Sequence, residues 1–205
     1  MTYSITTNIK HLISNDMDAE LPSTAQKLKD FLGTIIMVAT TDTRATFIAP
    51  VKCRKRVNRA ICLGLIGIKR QDIPQKMLLW HCSACEDGGI ITNWEKTHYD
   101  MTKWAASNSP SEQDPELSIL VSLEEIEALR AGKIYDADCD RMIYGAQFTP
   151  QSILIKGRES DFDNFIGFVA ADANHERKAK RSKLLDAVFA KASDALDDSL
   201  LRSEA

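Results

Sequence analysis

The sequence predicts an α+β protein, and three observations predict it. Apolar residues at helical spacing follow a start signal at Pro22, Ser23 and Gln26. Short apolar or alternating runs of strand length surround four cysteines between residues 45 and 98. After residue 118 a hairpin signal sits among segments of helical rhythm. The expected order is an N-terminal helical segment (1–44), a cysteine-bearing β module (45–105), a linker (106–117) and an α+β C-terminal unit (118–205), the last built as a β-hairpin and helices.

The elements follow in order. Ile5, Ile9, Leu12 and Ile13 suggest a short first helix. Ser23 can cap the next, Gln26 stands where it can reach back, and Leu28, Phe31, Leu32, Ile35 and Ile36 carry the apolar stripe to about Val38, across Gly33. Residues 45–51 read as a strand entering the cysteine segment; 63–70 as another; QDIPQ as a turn; 76–82 as a returning strand, and 90–94 as the next. The stretch AASNSPSEQDPE is small, polar and proline-containing, which marks a boundary. Residues 118–121 read as a strand, and Ser122 with Glu125 as a capping box for a helix that Gly132 ends. Residues 142–146 and 152–156 read as a hairpin with Pro150 in its turn. Ser160 opens a helix carrying Phe162, Phe165, Ile166, Val169 and Ala173, and a last helix buries Leu185, Val188, Phe189, Ala192 and Leu196.

Composition sets the outer limits. A chain of 205 residues with 44% hydrophobic and 27% charged residues can bury a core, which excludes a wholly disordered protein. A formal charge of -3 gives no global pull toward nucleic acid or an anionic membrane, so any such contact must be local. No run approaches the ~20 apolar residues of a membrane span, and MTYSITTNIKHLISND lacks a basic segment followed by an apolar one. The expectation is a cytoplasmic protein with no membrane partner. Five cysteines in that setting read as reduced thiols or metal ligands rather than a disulfide framework.

Cys53, Cys62, Cys82 and Cys85 are spaced C-x8-C-x19-C-x2-C, which supplies two ligand pairs from two chain segments, the arrangement of one structural, tetrahedral Zn2+. The alternatives are four unrelated buried or surface thiols and, ranked below them, a Cys53–Cys62 disulfide. The midpoint of the first pair falls between Val57 and Asn58, so a hairpin turning there sets the two sulfurs opposite one another. Cys82 ends a strand and C-S-A-C curls back, with Asp87, Gly88 and Gly89 permitting a tight exit. His81 and His98 are the candidate substitute ligands, although His81 points away from Cys82 if both lie on a strand. Four thiolates close the coordination shell and leave no position for substrate, so the ion's role is folding rather than catalysis. Cys139 is left over as a small apolar residue.

Residues 45–98 resemble a zinc ribbon, with C-x8-C in place of the usual shorter first knuckle. The pattern W-x-C-x-x-C-x-x-x-G-x-I-x-x-W from Trp80 to Trp94, with A-A-x-A-N-H-E from Ala170 to Glu176, resembles a set of small bacterial proteins of unassigned function across residues 45–200. That resemblance implies the four ligands and no activity.

Lys52, Arg54, Lys55, Arg56 and Arg59 crowd the loop between the first two cysteines. They form either a finger that meets phosphates or an acidic protein surface, with Trp80, Trp94, His98 and Tyr99 as stacking faces, or a solvated turn beside core aromatics. A second basic run, Arg177, Lys178, Lys180, Arg181 and Lys183, is either an anion site or the wet side of a helix. His175 and Glu176 offer acid and base groups without a nucleophile to pair with, and Asp136, Asp138 and Asp140 lack the glycine and distant glutamate of a calcium loop, which leaves a solvated loop. The leading expectation is a binding protein whose zinc module presents the basic loop to nucleic acid or an acidic protein. Adaptor or self-association through the C-terminal helices is the second, and an enzyme using His175 and Glu176 the third.

Overall fold

The computed structural model describes residues 5–13, 21–42, 44–57, 59–102, 114–132, 134–149 and 152–203. The protein is a mixed α+β fold in two compact units, Met1–Ala106 and Ser107–Ala205.

In the first unit the strands β1 (Ile5–Asn8), β2 (Thr46–Lys52), β5 (Leu65–Gln71), β6 (Met77–Cys82) and β7 (Gly88–Thr92) form a five-stranded sheet in the order β1-β7-β6-β5-β2. A separate two-stranded hairpin, β3 (Arg56–Val57) and β4 (Ala60–Ile61), stands between Cys53 and Cys62. The helix α1 (Ser23–Thr41) lies against β2 and β5 and buries Phe31, Leu32, Ile35, Ile36, Val38 and Ala39. Phe31 meets Trp80 edge-on, with ring centroids 5.3 Å apart. Gly33 survives in mid-helix because the Tyr99 ring occupies the space of its missing side chain.

Two expectations for the N-terminus are corrected. Residues 5–8 form a strand parallel to β7, followed by a 3-10 turn at Ile9–His11, not a helix. Four residues span too little chain for helical periodicity to be distinguished from a strand edge, and the parallel partner lies more than eighty residues away. At α1, Pro22 takes the N-cap position without a side-chain cap, so Ser23 is already helical and Gln26 donates to Asp30 at 2.6 Å.

The second unit carries β8 (Glu116–Val121), β9 (Gln147–Phe148) and β10 (Ile153–Arg158) in an antiparallel sheet ordered β8-β10-β9. Its helices are α2 (Leu123–Arg130), α3 (Ala137–Tyr144), α4 (Glu159–His175) and α5 (Ala179–Ser203). Ile119, Val121, Ile153 and Ile155 from the sheet share a core with Ile126, Leu129, Phe162, Phe165, Val169, Leu185, Val188 and Ala192. Ser122 and Glu125 form the expected capping box, with Ser122 N–H donating to Glu125 Oε2 at 2.6 Å and Glu125 N–H to Ser122 Oγ at 3.2 Å.

Three readings in this unit are overturned. Residues 142–144 belong to α3 rather than to a strand, because Asp136 accepts from the Cys139 N–H at 2.8 Å and starts a helix where a loop was expected. The hairpin partner is therefore only Gln147–Phe148; Pro150, like most of the expected linker, lies outside the described residues. The helix α4 is capped by Asp161 reaching back to the Arg158 N–H at 3.2 Å, while Ser160 bonds Asp114. Phe189 on α5 is 38% exposed, outside the core that takes Leu185, Val188 and Ala192.

Candidate metal centre

A local irregularity in β2 positions the site. From Thr46↔Lys69 to Ala49↔Ile66 the β2–β5 pairing is regular, and the next partners are Lys52↔Leu65. Pro50 and Val51 are thus surplus to the ladder, as a bulge. Proline has no N–H to donate, and a strand accommodates it at such a place. Unbroken pairing would have set Cys53 opposite Cys62, as the sequence spacing suggested. The bulge moves the register instead: the Cys53 N–H donates to the Gly64 carbonyl at 2.8 Å and the Cys62 N–H to the Lys55 carbonyl at 2.9 Å. The hairpin then pairs Arg56↔Ile61 and Val57↔Ala60, turning one residue later than expected, with Arg59 at φ 68°.

The second cysteine pair comes from the β6–β7 connection. The Cys82 N–H donates to the Asp87 carbonyl at 2.8 Å, and the Ser83 N–H crosses to the Leu65 carbonyl at 2.8 Å, which ties this connection to the first. Gly88 and Gly89 are strand residues, and no glycine among the described residues has a positive φ. They do not form the expected tight exit. Gly89 is required by close approach: a Cβ there would lie 2.7 Å from the Ile5 carbonyl oxygen and 3.0 Å from Trp80 Nε1.

All four sulfurs, from Cys53, Cys62, Cys82 and Cys85, lie within 4.8 Å of one another. Two pairs cross between the two connections, Cys53 to Cys85 at 3.7 Å and Cys62 to Cys82 at 3.6 Å. A tetrahedral ion with metal–sulfur bonds of about 2.3 Å requires sulfurs about 3.8 Å apart. The cluster therefore has the size to hold one metal ion. Three sulfurs also accept a backbone N–H two residues on: Lys55 to Cys53 at 3.4 Å, Gly64 to Cys62 at 3.4 Å and Ala84 to Cys82 at 3.3 Å. Such N–H groups favour thiolate over thiol.

Burial raises the pKa of Cys53 and of Cys85. At Cys82 burial acts the same way, yet the N–H groups of Ala84 and Cys85 and the neighbouring thiols outweigh it and lower the pKa. Clustered sulfur anions repel one another, and a cation held among them would offset that repulsion. Gly64 completes the packing: a Cβ there would collide with Cys82 Sγ and lie 2.8 Å from Ala84 Cβ and 2.9 Å from Ala84 N. His81 is outside the cluster, paired across the sheet with Gly67 and Gly88. Cys139 is buried in the second unit.

The basic loop divides. Arg54 turns back to α1, donating to the Lys27 carbonyl and lying 4.9 Å over the Phe31 ring. Lys52 closes β2 and is half-buried. Lys55, Arg56 and Arg59 are exposed, beside aliphatic side chains that the charge count did not bring out: Val57, Ile61 and Leu63 are 41%, 60% and 89% exposed. Trp80, Trp94 and Tyr99 are buried, and the His98 ring lies against Tyr99 with centroids 3.9 Å apart. Trp80, Trp94 and Tyr99 are therefore core rather than stacking faces, and His98 is the exposed ring of the four.

Arg181 in the second basic run is structural. It donates to both carboxylate oxygens of Asp172, to Glu176 at 2.5 Å and to the Ala128 carbonyl at 3.0 Å, while the Tyr135 hydroxyl donates to Asp172 at 2.9 Å. Glu176 is thereby committed to holding α4 and α5 together, and His175 is exposed. Among the described residues no helix is long and apolar enough to cross a membrane. Comparison with family models, curated proteins and solved structures gives no match for this chain.

Proposed function

We propose that the chain is a zinc-stabilised binding protein in which Cys53, Cys62, Cys82 and Cys85 hold one structural zinc ion and Lys55, Arg56 and Arg59 meet an acidic partner, nucleic acid or protein. The observation that carries this reading is the position of the sulfur cluster at the base of the hairpin that displays those cations. Four soft thiolates in tetrahedral reach suit zinc, and the zinc-ribbon reading of residues 45–98 belongs to the same proposal. When bound, the ion fixes the two connections to each other. The protein's own residues do the rest: backbone N–H groups orient the sulfurs, the two-residue strands stiffen the tip, and Lys55, Arg56 and Arg59 are exposed in a segment from 52 to 63 that holds no acidic residue.

The test is fluorescence anisotropy with a single-stranded RNA and a polyglutamate probe over a range of salt concentrations. Lys55→Gln/Arg56→Gln/Arg59→Gln is expected to weaken binding and flatten its salt dependence, since each lost contact releases fewer counterions. Arg54 is left intact because it serves α1. Unchanged affinity in the triple variant would remove the proposal. A second reading, an adaptor or self-associating module, is favoured by the exposed Phe189 and Leu201 on α5. A single-copy mass by light scattering at high protein concentration would exclude self-association.

A further inference from the structure

The hairpin that carries the exposed cations also exposes aliphatic side chains. Leu63 is 89% exposed, more than any other large apolar residue among those described, and Ile61 is 60% exposed. In an antiparallel hairpin directly paired residues share a face and alternate residues return to it. Ile61 stands across from Arg56, so these two share one face, and Leu63 follows Ile61 by two residues, beyond β4 but between the backbone bonds that join Cys62 to Lys55 and Cys53 to Gly64. Val57 and Ala60 share the other face. Cation and aliphatic groups are therefore combined on one side of a hairpin whose base is pinned by the sulfur cluster.

Charge is distributed to match. Residues 1–106 hold fourteen lysines and arginines against ten acidic residues, whereas 107–205 hold twelve against nineteen. The excess of positive charge lies in the unit that carries the hairpin, though the whole chain is acidic.

Nucleic acid would use the cations and leave the aliphatic groups without a role. Single strands bind by stacking on successive aromatic faces, and Trp80, Trp94 and Tyr99 are buried, which leaves His98 as the one exposed ring of the expected four. A bilayer would be met by the end of the hairpin, and the turn there holds Arg59 rather than an aliphatic residue. A protein segment that alternates acidic and aliphatic side chains matches both components: its carboxylates meet Arg56 and, at the turn, Arg59, while its apolar side chains cover Ile61 and Leu63.

We infer that the hairpin between Cys53 and Cys62 is a docking surface for an acidic protein segment bearing aliphatic side chains. This rests on the proposed binding role of the same hairpin and narrows its partner to one class.

The experiment uses the full zinc-loaded chain and four probes: a synthetic peptide alternating Glu with Leu, a peptide alternating Glu with Ser, a single-stranded RNA, and vesicles rich in phosphatidylserine. Two variants are compared, Ile61→Ser/Leu63→Ser and Lys55→Gln/Arg56→Gln/Arg59→Gln. Both sets of side chains are exposed, and retained zinc and an unchanged circular dichroism spectrum verify the fold. The Glu–Leu peptide is expected to bind about tenfold more tightly than the Glu–Ser peptide, and Ile61→Ser/Leu63→Ser to remove that advantage, as expected when aliphatic area is buried. Tighter binding of RNA or vesicles than of the Glu–Leu peptide, or equal binding of the two peptides by both proteins, overturns the inference while leaving an electrostatic binding role standing. Concentration-dependent self-association abolished by Ile61→Ser/Leu63→Ser also overturns it, in favour of a second copy as the partner. Failure of every probe to bind overturns the inference and the binding role together.

Discussion

Replacing Gly64 by alanine tests whether the sulfur cluster is a tuned metal centre. In the folded chain the added methyl would lie 2.8 Å from Ala84 Cβ and 2.9 Å from Ala84 N, where ordinary contact begins at 3.4 Å, and closer still to Cys82 Sγ. The Ala84 backbone must therefore retreat by about half an ångström, whereas metal–ligand distances tolerate about 0.2 Å. Overpacking of this kind costs about 1–3 kcal/mol, equivalent to about a fivefold to 150-fold loss of metal affinity if the strain is relieved when the ion leaves. Affinity is measured by competition against a chromophoric chelator, with thermal melts of the zinc-loaded proteins alongside. Gly167→Ala is the control: on α4 a Cβ at Gly167 meets nothing within 4 Å, so alanine there stabilises the helix by up to about 1 kcal/mol and leaves metal binding alone. Wild-type zinc affinity in Gly64→Ala would refute the reasoning, because the close packing would then have no bearing on the sulfurs.

Metal analysis of purified protein is expected to give one zinc per chain, lost in Cys82→Ser with destabilisation of the first unit and retained in Cys139→Ser; iron in place of zinc, or no metal in freshly reduced protein, would contradict the assignment. Asp140 gives a pH signature: burial, with the Asp136 charge second, pushes its carboxyl up to about 6 from 3.8. A carboxyl whose folded pKa is raised favours the fold while protonated and loses that advantage as pH rises from about 4 through 6. Asp140→Asn is therefore expected to match the parent at pH 4 and exceed it above pH 6, by on the order of 1 kcal/mol once solvent screening is allowed for. Equal melting temperatures at pH 8 would count against it.

The sequence carried the α+β character, the strands around the cysteines and the Ser122–Glu125 cap because each rests on local chemistry: periodicity, capping pairs and ligand spacing. It misled where a distant partner decides. Residues 5–8 become a strand only because β7 supplies a ladder, and nothing near Ile5 announces it. At the metal centre the ligand types and their spacing were legible, but the geometry was not, since direct counting between Cys53 and Cys62 ignores Pro50 and Val51. Pro50 was the available signal, a residue without an N–H inside an otherwise regular strand. The division of the basic loop was hidden for another reason. Arg54 and Arg56 are the same residue type two positions apart, and only the placement of Phe31 and the Lys27 carbonyl on α1 commits one to the fold and leaves the other outside.

The bulge at Pro50 and Val51 also bears on how this protein can change. Because it resets the register below Cys53, the anchoring bonds from Cys53 to Gly64 and from Cys62 to Lys55 are settled before the chain reaches the tip. Residues added in balanced pairs, one on each arm beyond those bonds, lengthen the hairpin without moving a sulfur, whereas a single unbalanced insertion must be absorbed in the turn. The segment between the first two cysteines is thus an exchangeable head on a fixed mount, free to vary in length and composition while the centre beneath it stays the same.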